Sequence, residues 1–397
     1  MSKKHAKLSA SGSSRWLNCA GSVKAEESYP DQSSFFAEEG RLAHHVADLC
    51  LVNVHDAEFY IDKTLKELKI KLDTIPSTDK ITKDMAVYVQ EYLDYVLSHQ
   101  TLNSKLYTEE RVDFSNVVPK PSGFGTMDAA VIDYDSGTCH IFDLKYGKGV
   151  SVDAFENTQA QLYALGLLNE LGFLNEITDF RIHIVQPRIR NNSYWDISVT
   201  DLVKFGNWVT ERAALALSAN APRVPGKKQC RWCKAKGDCP ALMKFTEDII
   251  SSEFDNLDKD SGSMSDEQKK LILDNTSLIK SFLDAVESGV YTRIHDGGSF
   301  KGYKLVEGRS NRVWAEDAEK TLCRKLGIKQ AYIKKLIGIT EAEKKVGKKL
   351  VDKLAFKPKG KLTLVPESDK RKSIITTNIA DEFEEIIIDP KIAIMWS

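Results

Sequence analysis

The strongest constraint on the fold is a change of hydrophobic period between residues 105 and 217. Lys105 to Phe114, Met127 to Tyr134 and Cys139 to Leu144 are rich in β-branched and aromatic residues, the composition of strands. Asp135-Ser136-Gly137 between the last two is a hairpin turn signal, so an antiparallel meander is the simplest arrangement. Ala154 to Leu171 then reads as a helix, with Leu162, Tyr163, Leu165, Leu167 and Leu168 as its apolar positions. A strand over Asp179 to Val185, a short partner over Ser193 to Val199 and a helix over Thr200 to Leu217 follow. Upstream, apolar residues recur at helical spacing from Phe36 to about Val52 and from Thr82 to Leu97, whereas the first 35 residues read as a loop or short helix. Helix, three strands, helix and strand in that order imply a mixed α/β core ending near residue 220.

At 397 residues and 42% hydrophobic content, the chain can bury one large core or two modest ones. No run approaches the length of a membrane helix, and the opening MSKKHAKLSASGSS lacks the apolar block of a secretory signal. We therefore expect a cytoplasmic protein with no membrane partner. The formal charge of -1 means that attraction for a polyanion must come from local clustering. Such a cluster lies late in the chain, where Lys320 to Lys372 holds 17 Lys+Arg against five acids; the sign reverses from Asp381 to Asp389. A solvated helical face accounts for a basic run equally well. The polar stretch DNLDKDSGSMSD suggests a division into a core domain over 1–250, a linker over 251–266 and a basic, mostly helical accessory domain over 267–397.

Chemistry concentrates at the strand ends. Gly125-Thr126-Met127-Asp128 opens one strand and Asp143-Leu144-Lys145 ends the next, so a hairpin brings both carboxylates to one end of the sheet. Asp143 and Lys145, two apart, share a face. Paired carboxylates repel unless a cation lies between them, and Mg²⁺ or Mn²⁺ prefers such oxygen ligands. A neighbouring lysine can orient or help deprotonate water, or stabilise charge developing on a phosphate. Gln159 and Tyr163 are four apart on the following helix and hence on one face, and His44, four residues after Gly40, can add an imidazole ligand. For Glu109 and Glu110, a solvated strand end is the favoured reading over a further site carboxylate.

The ordered set Gly40-x-x-x-His44, Gly125-x-x-Asp128, Asp143-x-Lys145 and Gln159-x-x-x-Tyr163 resembles the RecB-like branch of the PD-(D/E)xK nuclease superfamily. The resemblance implies a restriction-endonuclease-like mixed sheet flanked by helices. It also implies that His44, Asp128 and Asp143 hold the metal, that Lys145 is catalytic, and that Gln159 and Tyr163 shape the site and contact DNA. The adjacent His45 competes for the histidine's place, but the spacing from Gly40 favours His44.

Cys230, Cys233 and Cys239 form C-x2-C-x5-C followed by Pro240, a pattern that wraps a soft centre but needs a fourth ligand, for which Cys19 is the natural candidate. Helicase-associated and CRISPR-associated RecB-like nucleases carry one N-terminal and three C-terminal cysteines on a [4Fe-4S] cluster, and these four positions are similar. A structural Zn²⁺ is the alternative. Cys50, Cys139 and Cys323 lie in apolar stretches and read as buried hydrophobes.

The segment Ser11 to Ser22, the Gln186-Pro187-Arg188 turn and Pro366 to Arg371 further resemble a family of phage and prophage RecB-like nucleases. That likeness implies a bacterial host cell, work in DNA recombination, replication or repair, and a phage single-strand-binding or recombination protein as partner. Neither a G-x-x-x-x-G-K-[ST] loop nor a G-x-S-x-G elbow occurs, which argues against built-in ATPase or serine hydrolase chemistry. The expectation is a metal-dependent DNA exonuclease; the competing reading is a catalytically inactive DNA-binding scaffold that keeps the fold.

Overall fold

The computed structural model describes residues 6–30, 34–172, 176–251 and 265–305, with 343, 344 and 349. Two short helices, α1 (Ser13–Trp16) and α2 (Ser22–Glu26), come first. The longer α3 (Phe35–Asn53) and α4 (Lys83–Leu97) begin at hydroxyl caps, Ser34 accepting from the Ala37 amide and Thr82 from the Met85 amide. Strands β1 (Ser104–Asp113), β2 (Phe124–Asp133) and β3 (Thr138–Leu144) follow. Then come α5 (Thr158–Leu167), β4 (Asp179–Gln186), β5 (Asn191–Ser198) and α6 (Val199–Leu217). Helices α7 (Lys227–Arg231), α8 (Pro240–Ser251) and α9 (Asp266–His295) complete the set. α5 starts four residues later than the apolar pattern suggests, because the Asn157 side chain caps it by accepting from the Ala160 amide at 3.2 Å. Beyond Leu167 the chain continues as a π turn over Leu168–Gly172.

The five strands form one sheet in the order β1-β2-β3-β4-β5. Neighbours are antiparallel except β3 and β4, which run parallel. A parallel pair needs a crossover, and α5 supplies it. One sheet face packs Ala130, Ile132, Cys139, Ile141, Phe180 and Ile182 into a core shared with α5, α6 and the N-terminal Leu8 and Trp16. The other packs Ala129, Val131, Phe142, Leu144 and Val185 into a core shared with α3 and α4. With both faces covered, β3 and β4 read as nearly continuous apolar runs. This is the mixed sheet flanked by helices that the order of elements predicts.

The unit containing the sheet spans Met1–Leu305 and includes α9. Leu278 of α9 is buried with Cys230 and Leu242, and Lys236 Nζ donates to Ser281 Oγ at 2.8 Å. Residues 252–264 within the expected linker, the acidic segment Asp381 to Asp389, Cys323 and Pro366 to Arg371 lie outside the described residues. So does the basic stretch Lys320 to Lys372, three isolated positions excepted. Among the described residues no helix is long and apolar enough to cross a membrane.

α3 is anchored by a carboxylate with no solvent exposure. Glu38 accepts from the amides of Asp73 (2.9 Å), Thr74 and Ile75 (3.2 Å), from the Thr74 hydroxyl (2.6 Å) and from Arg41 (2.9 Å). Glu38→Ala would leave these donors unpaired, and it is expected to destabilise the fold by roughly 1–3 kcal/mol per buried donor left unsatisfied. A lower urea midpoint at unchanged m-value is the readout.

Candidate functional site

The site forms where the sheet comes apart. β2 and β3 pair from Asp133↔Thr138 as far as Ala129↔Phe142, and Asp128 and Asp143 lie just past the last rung. In place of a further rung, the Leu144 amide donates to Asp128 Oδ2 at 2.8 Å. On the other side of β2, the register passes from Thr108↔Ala129 to Glu110↔Met127 and omits Glu109 opposite Asp128. Glu109 is left-handed, with φ 45°, a conformation that costs a non-glycine residue on the order of 1 kcal/mol or more and recurs at functional sites. Strict alternation also fails here, since Met127 joins the core under α5 while Ala129 joins the core under α3.

Three elements converge on this break. From α3, His44 Nδ1 lies 3.0 Å from Asp128 Oδ1. Just past the end of β3, Lys145 Nζ lies 2.9 Å from Asp143 Oδ1 and 2.7 Å from Oδ2. From α5, Gln159 Oε1 accepts from Lys145 Nζ at 3.1 Å, and Gln159 Nε2 donates to the Tyr163 hydroxyl at 3.1 Å. The Tyr163 ring crosses β2 so closely that a Cβ on Gly125 would stand 2.8 Å from its Cε1, which explains the glycine. His44, Asp128, Asp143, Lys145, Gln159 and Tyr163 thus meet as the sequence motifs predict.

The grouping within the site differs from the simplest expectation. The ligand atoms lying within 4.8 Å of one another belong to His44, Glu109 and Asp128, whereas the Asp143 carboxylate is engaged by Lys145. Glu109 was favoured as a solvated strand end, and the structure gives it a place beside the histidine. Its cue in the sequence is slight, a second acid in an otherwise alternating strand. Tyr92 of α4 lines the same pocket with a buried hydroxyl that has no partner among the described residues.

Burial and charge set the protonation states. Burial raises the Asp143 pKa, and the Asp128 charge adds to this, while Lys145 opposes it; the net direction is up. Burial also pushes Asp128 up, but His44 and Lys145 outweigh it and hold it below the usual carboxylate value. For His44 and Lys145, burial disfavours the charge, yet the facing aspartates prevail and both lie above their ordinary values. Burial raises the Tyr163 phenol as well, so it stays protonated.

A second cluster forms around the cysteines. Cys19, Cys230, Cys233 and Cys239 line one cavity with Ser22, Val224 and Leu242. The Val224 amide donates to Cys19 Sγ at 3.3 Å and the Gly226 amide to Cys230 Sγ at 3.4 Å. Burial pushes the Cys233 thiol up to about 12 and the Cys230 thiol above its ordinary value. Among the described residues, no three cysteine sulfurs lie within 4.8 Å of one another. Cys50 and Cys139 are buried hydrophobes, as expected.

A family model described as "Protein of unknown function (DUF2800)" matches residues 5–372. The chain belongs to this family. The match takes in both clusters of this DUF2800 chain, the polar residues at the broken ladder and all four clustered cysteines.

In the DUF2800 protein without metal, the His44 ring is expected to titrate above the ordinary histidine value. Because that pKa is higher folded than unfolded, the stabilisation is complete below the ordinary value and fades as pH rises through the raised one. Asp128→Asn leaves burial as the dominant influence, so the His44 titration should move below the ordinary value. Histidine ring resonances followed by NMR across pH check both directions.

Proposed function

We propose that the protein is a metal-dependent deoxyribonuclease of the RecB-like PD-(D/E)xK type that acts as an exonuclease. The observation that carries this reading is the meeting of His44, Asp128, Asp143, Lys145 and Gln159 at one break in the sheet. The residues suit a hard divalent ion. His44, Glu109 and Asp128 offer an imidazole nitrogen and two carboxylate oxygens within 4.8 Å, and the buried Asp143 carboxylate, ion-paired with Lys145, feels the charges of Asp128 and His44. These four residues would hold Mg²⁺ or Mn²⁺. When bound, the ion supplies Lewis-acid polarisation of the phosphodiester and acidification of water.

The chain's own groups divide the remaining work. His44 and the Leu144 amide fix the two oxygens of Asp128. Lys145, with its raised pKa, stays protonated and is suited to stabilise charge on a phosphate oxygen rather than to remove a proton. Gln159 holds that ammonium by its carbonyl and fixes Tyr163 by its amide, so the side chains from α5 are oriented before substrate arrives. The four cysteines line one cavity and would hold a [4Fe-4S] cluster, a reading supported by the likeness to RecB-like nucleases that carry one, with a structural Zn²⁺ as the alternative. The likeness to phage and prophage nucleases supports a place in DNA recombination, replication or repair beside a single-strand-binding or recombination protein.

Digestion of end-labelled DNA with Mn²⁺ or Mg²⁺ tests the proposal. The wild type should shorten the DNA progressively, and Lys145→Ala should cut roughly 100- to 1000-fold more slowly while binding DNA as before. If neither protein cuts while both bind, the inactive scaffold is the better reading. Anaerobically purified wild type should carry iron and acid-labile sulfide, and Cys233→Ser should lose both; zinc without sulfide would instead assign the cavity to zinc.

A further inference from the structure

A second set of ligand atoms lies on the opposite face of the sheet from Asp143 and Lys145. His140 on β3, His183 on β4 and His99, just past the end of α4, each offer a ring nitrogen, all within 4.8 Å of one another. His140 is three residues along β3 from Asp143, a distance of roughly 10 Å. It shares its face with Phe142 and Leu144, which pack toward α3 and α4. The motifs of the nuclease reading use none of these histidines.

The hydrogen bonds around the rings fix their outer nitrogens and leave one proton between His183 Nε2 and His140 Nδ1 for a metal to displace. His99 Nδ1 lies 2.8 Å from the Tyr95 carbonyl, which can only accept. That nitrogen therefore carries the proton, and His99 Nε2 keeps its lone pair. The Tyr95 hydroxyl lies 3.0 Å from His183 Nδ1, which leaves His183 Nε2 facing His140 Nδ1 at 3.0 Å. Tyr95 thus orients two of the three rings, one through its carbonyl and one through its hydroxyl, as outer partners of metal-ligating histidines do. Phe142 stacks on His183 with ring centroids 4.5 Å apart and walls the set on the protein side. His183 is buried, and His99 and His140 are half-buried, so the set is rooted in the core and reaches solvent.

The charged neighbours do not block a cation. Arg181, next to His140 and His183, is held in a bidentate pair with Asp196 at 2.5 and 2.8 Å. Asp133 and Asp196 favour positive charge at His140. Burial, reinforced by the neighbouring histidines and Arg181, lowers the His183 pKa to about 2; burial, His99 and Arg181 lower that of His140 to about 4. Both rings are neutral at physiological pH, the form that binds metals.

We propose that His99, His140 and His183 form a zinc site that ties the end of α4 to β3 and β4. Three imidazoles suit zinc and its late first-row neighbours rather than Mg²⁺, and they leave a fourth position for water or an exchangeable ligand. The site is independent of the nuclease reading and would stand if that reading failed.

Cobalt and zinc titrations of the full-length chain test it, with wild type, His99→Ala, Tyr95→Phe and His44→Ala compared after each is shown to fold by circular dichroism. His99 is half-buried, so its substitution spares the core, and His44→Ala removes the other nitrogen ligand. Wild type should bind one more equivalent of Co²⁺ than His99→Ala, with a nitrogen-ligand spectrum that lacks a thiolate-to-cobalt band, and His44→Ala should retain that equivalent. Tyr95→Phe should weaken it roughly 10- to 100-fold. Zinc should raise the melting temperature of His44→Ala by more than that of a His44→Ala/His99→Ala double variant, which keeps the cysteines. Equal metal stoichiometry in wild type and His99→Ala, with no difference in zinc-dependent melting between the single and double variants, would overturn the proposal and leave the three rings as a hydrogen-bonded part of the core.

Discussion

One hydrogen bond, from the Leu144 amide to the Asp128 carboxylate, stands where the ladder between β2 and β3 would otherwise continue. It satisfies a backbone donor that the parting strands would leave unpaired, and so lets the sheet open without exposing that donor to the core. It also fixes one oxygen of Asp128, which leaves the other to meet His44. The gap created beside Asp128 is occupied from the α5 side by Lys145, Gln159 and Tyr163, and the adjoining departure of Glu109 from the β1 ladder brings a further carboxylate to the same place. A regular five-stranded sheet could not gather these groups, because its alternation would send neighbouring residues to opposite faces.

The elements were legible where a buried face imposed a period. The helices ending at Leu97 and Leu217 and the strand from Asp179 sit within a residue or so of the expected places, because apolar spacing reports burial directly. α5 was less clear. Its surroundings are apolar on nearly every side, so periodicity could not mark its start, and the boundary came from the Asn157 cap and a π turn. The order of motifs anticipated which polar residues would meet, but not how they would divide. Glu109 escaped because its role comes from a backbone conformation rather than from its neighbours in sequence. The three histidines escaped for a similar reason, since His99, His140 and His183 lie on separate elements and share no spacing.

The two clusters of the site region differ in the physical character of their donors. Around Asp128 the groups are carboxylates and an ammonium whose charges hold one another in place despite burial. Around the cysteines the surroundings are more apolar, and the buried thiols of Cys230 and Cys233 resist ionisation. Hard oxygen donors and soft sulfur donors select different ions, so the two clusters differ in the ions they suit. α9 packs against the second region through Leu278 and Ser281.

The cavity takes its first sulfur from Cys19 and its last from Cys239, with the entire sheet encoded between them. During synthesis the first thiol emerges ~220 residues before the final one. At ordinary elongation rates that interval is about 10 to 40 s. The cavity is therefore among the last features of the domain that a growing chain can assemble, after both cores flanking the sheet are available. Its completion marks a nearly finished domain, and a chain truncated anywhere before residue 230 would carry Cys19 without any of its three companions in the cavity.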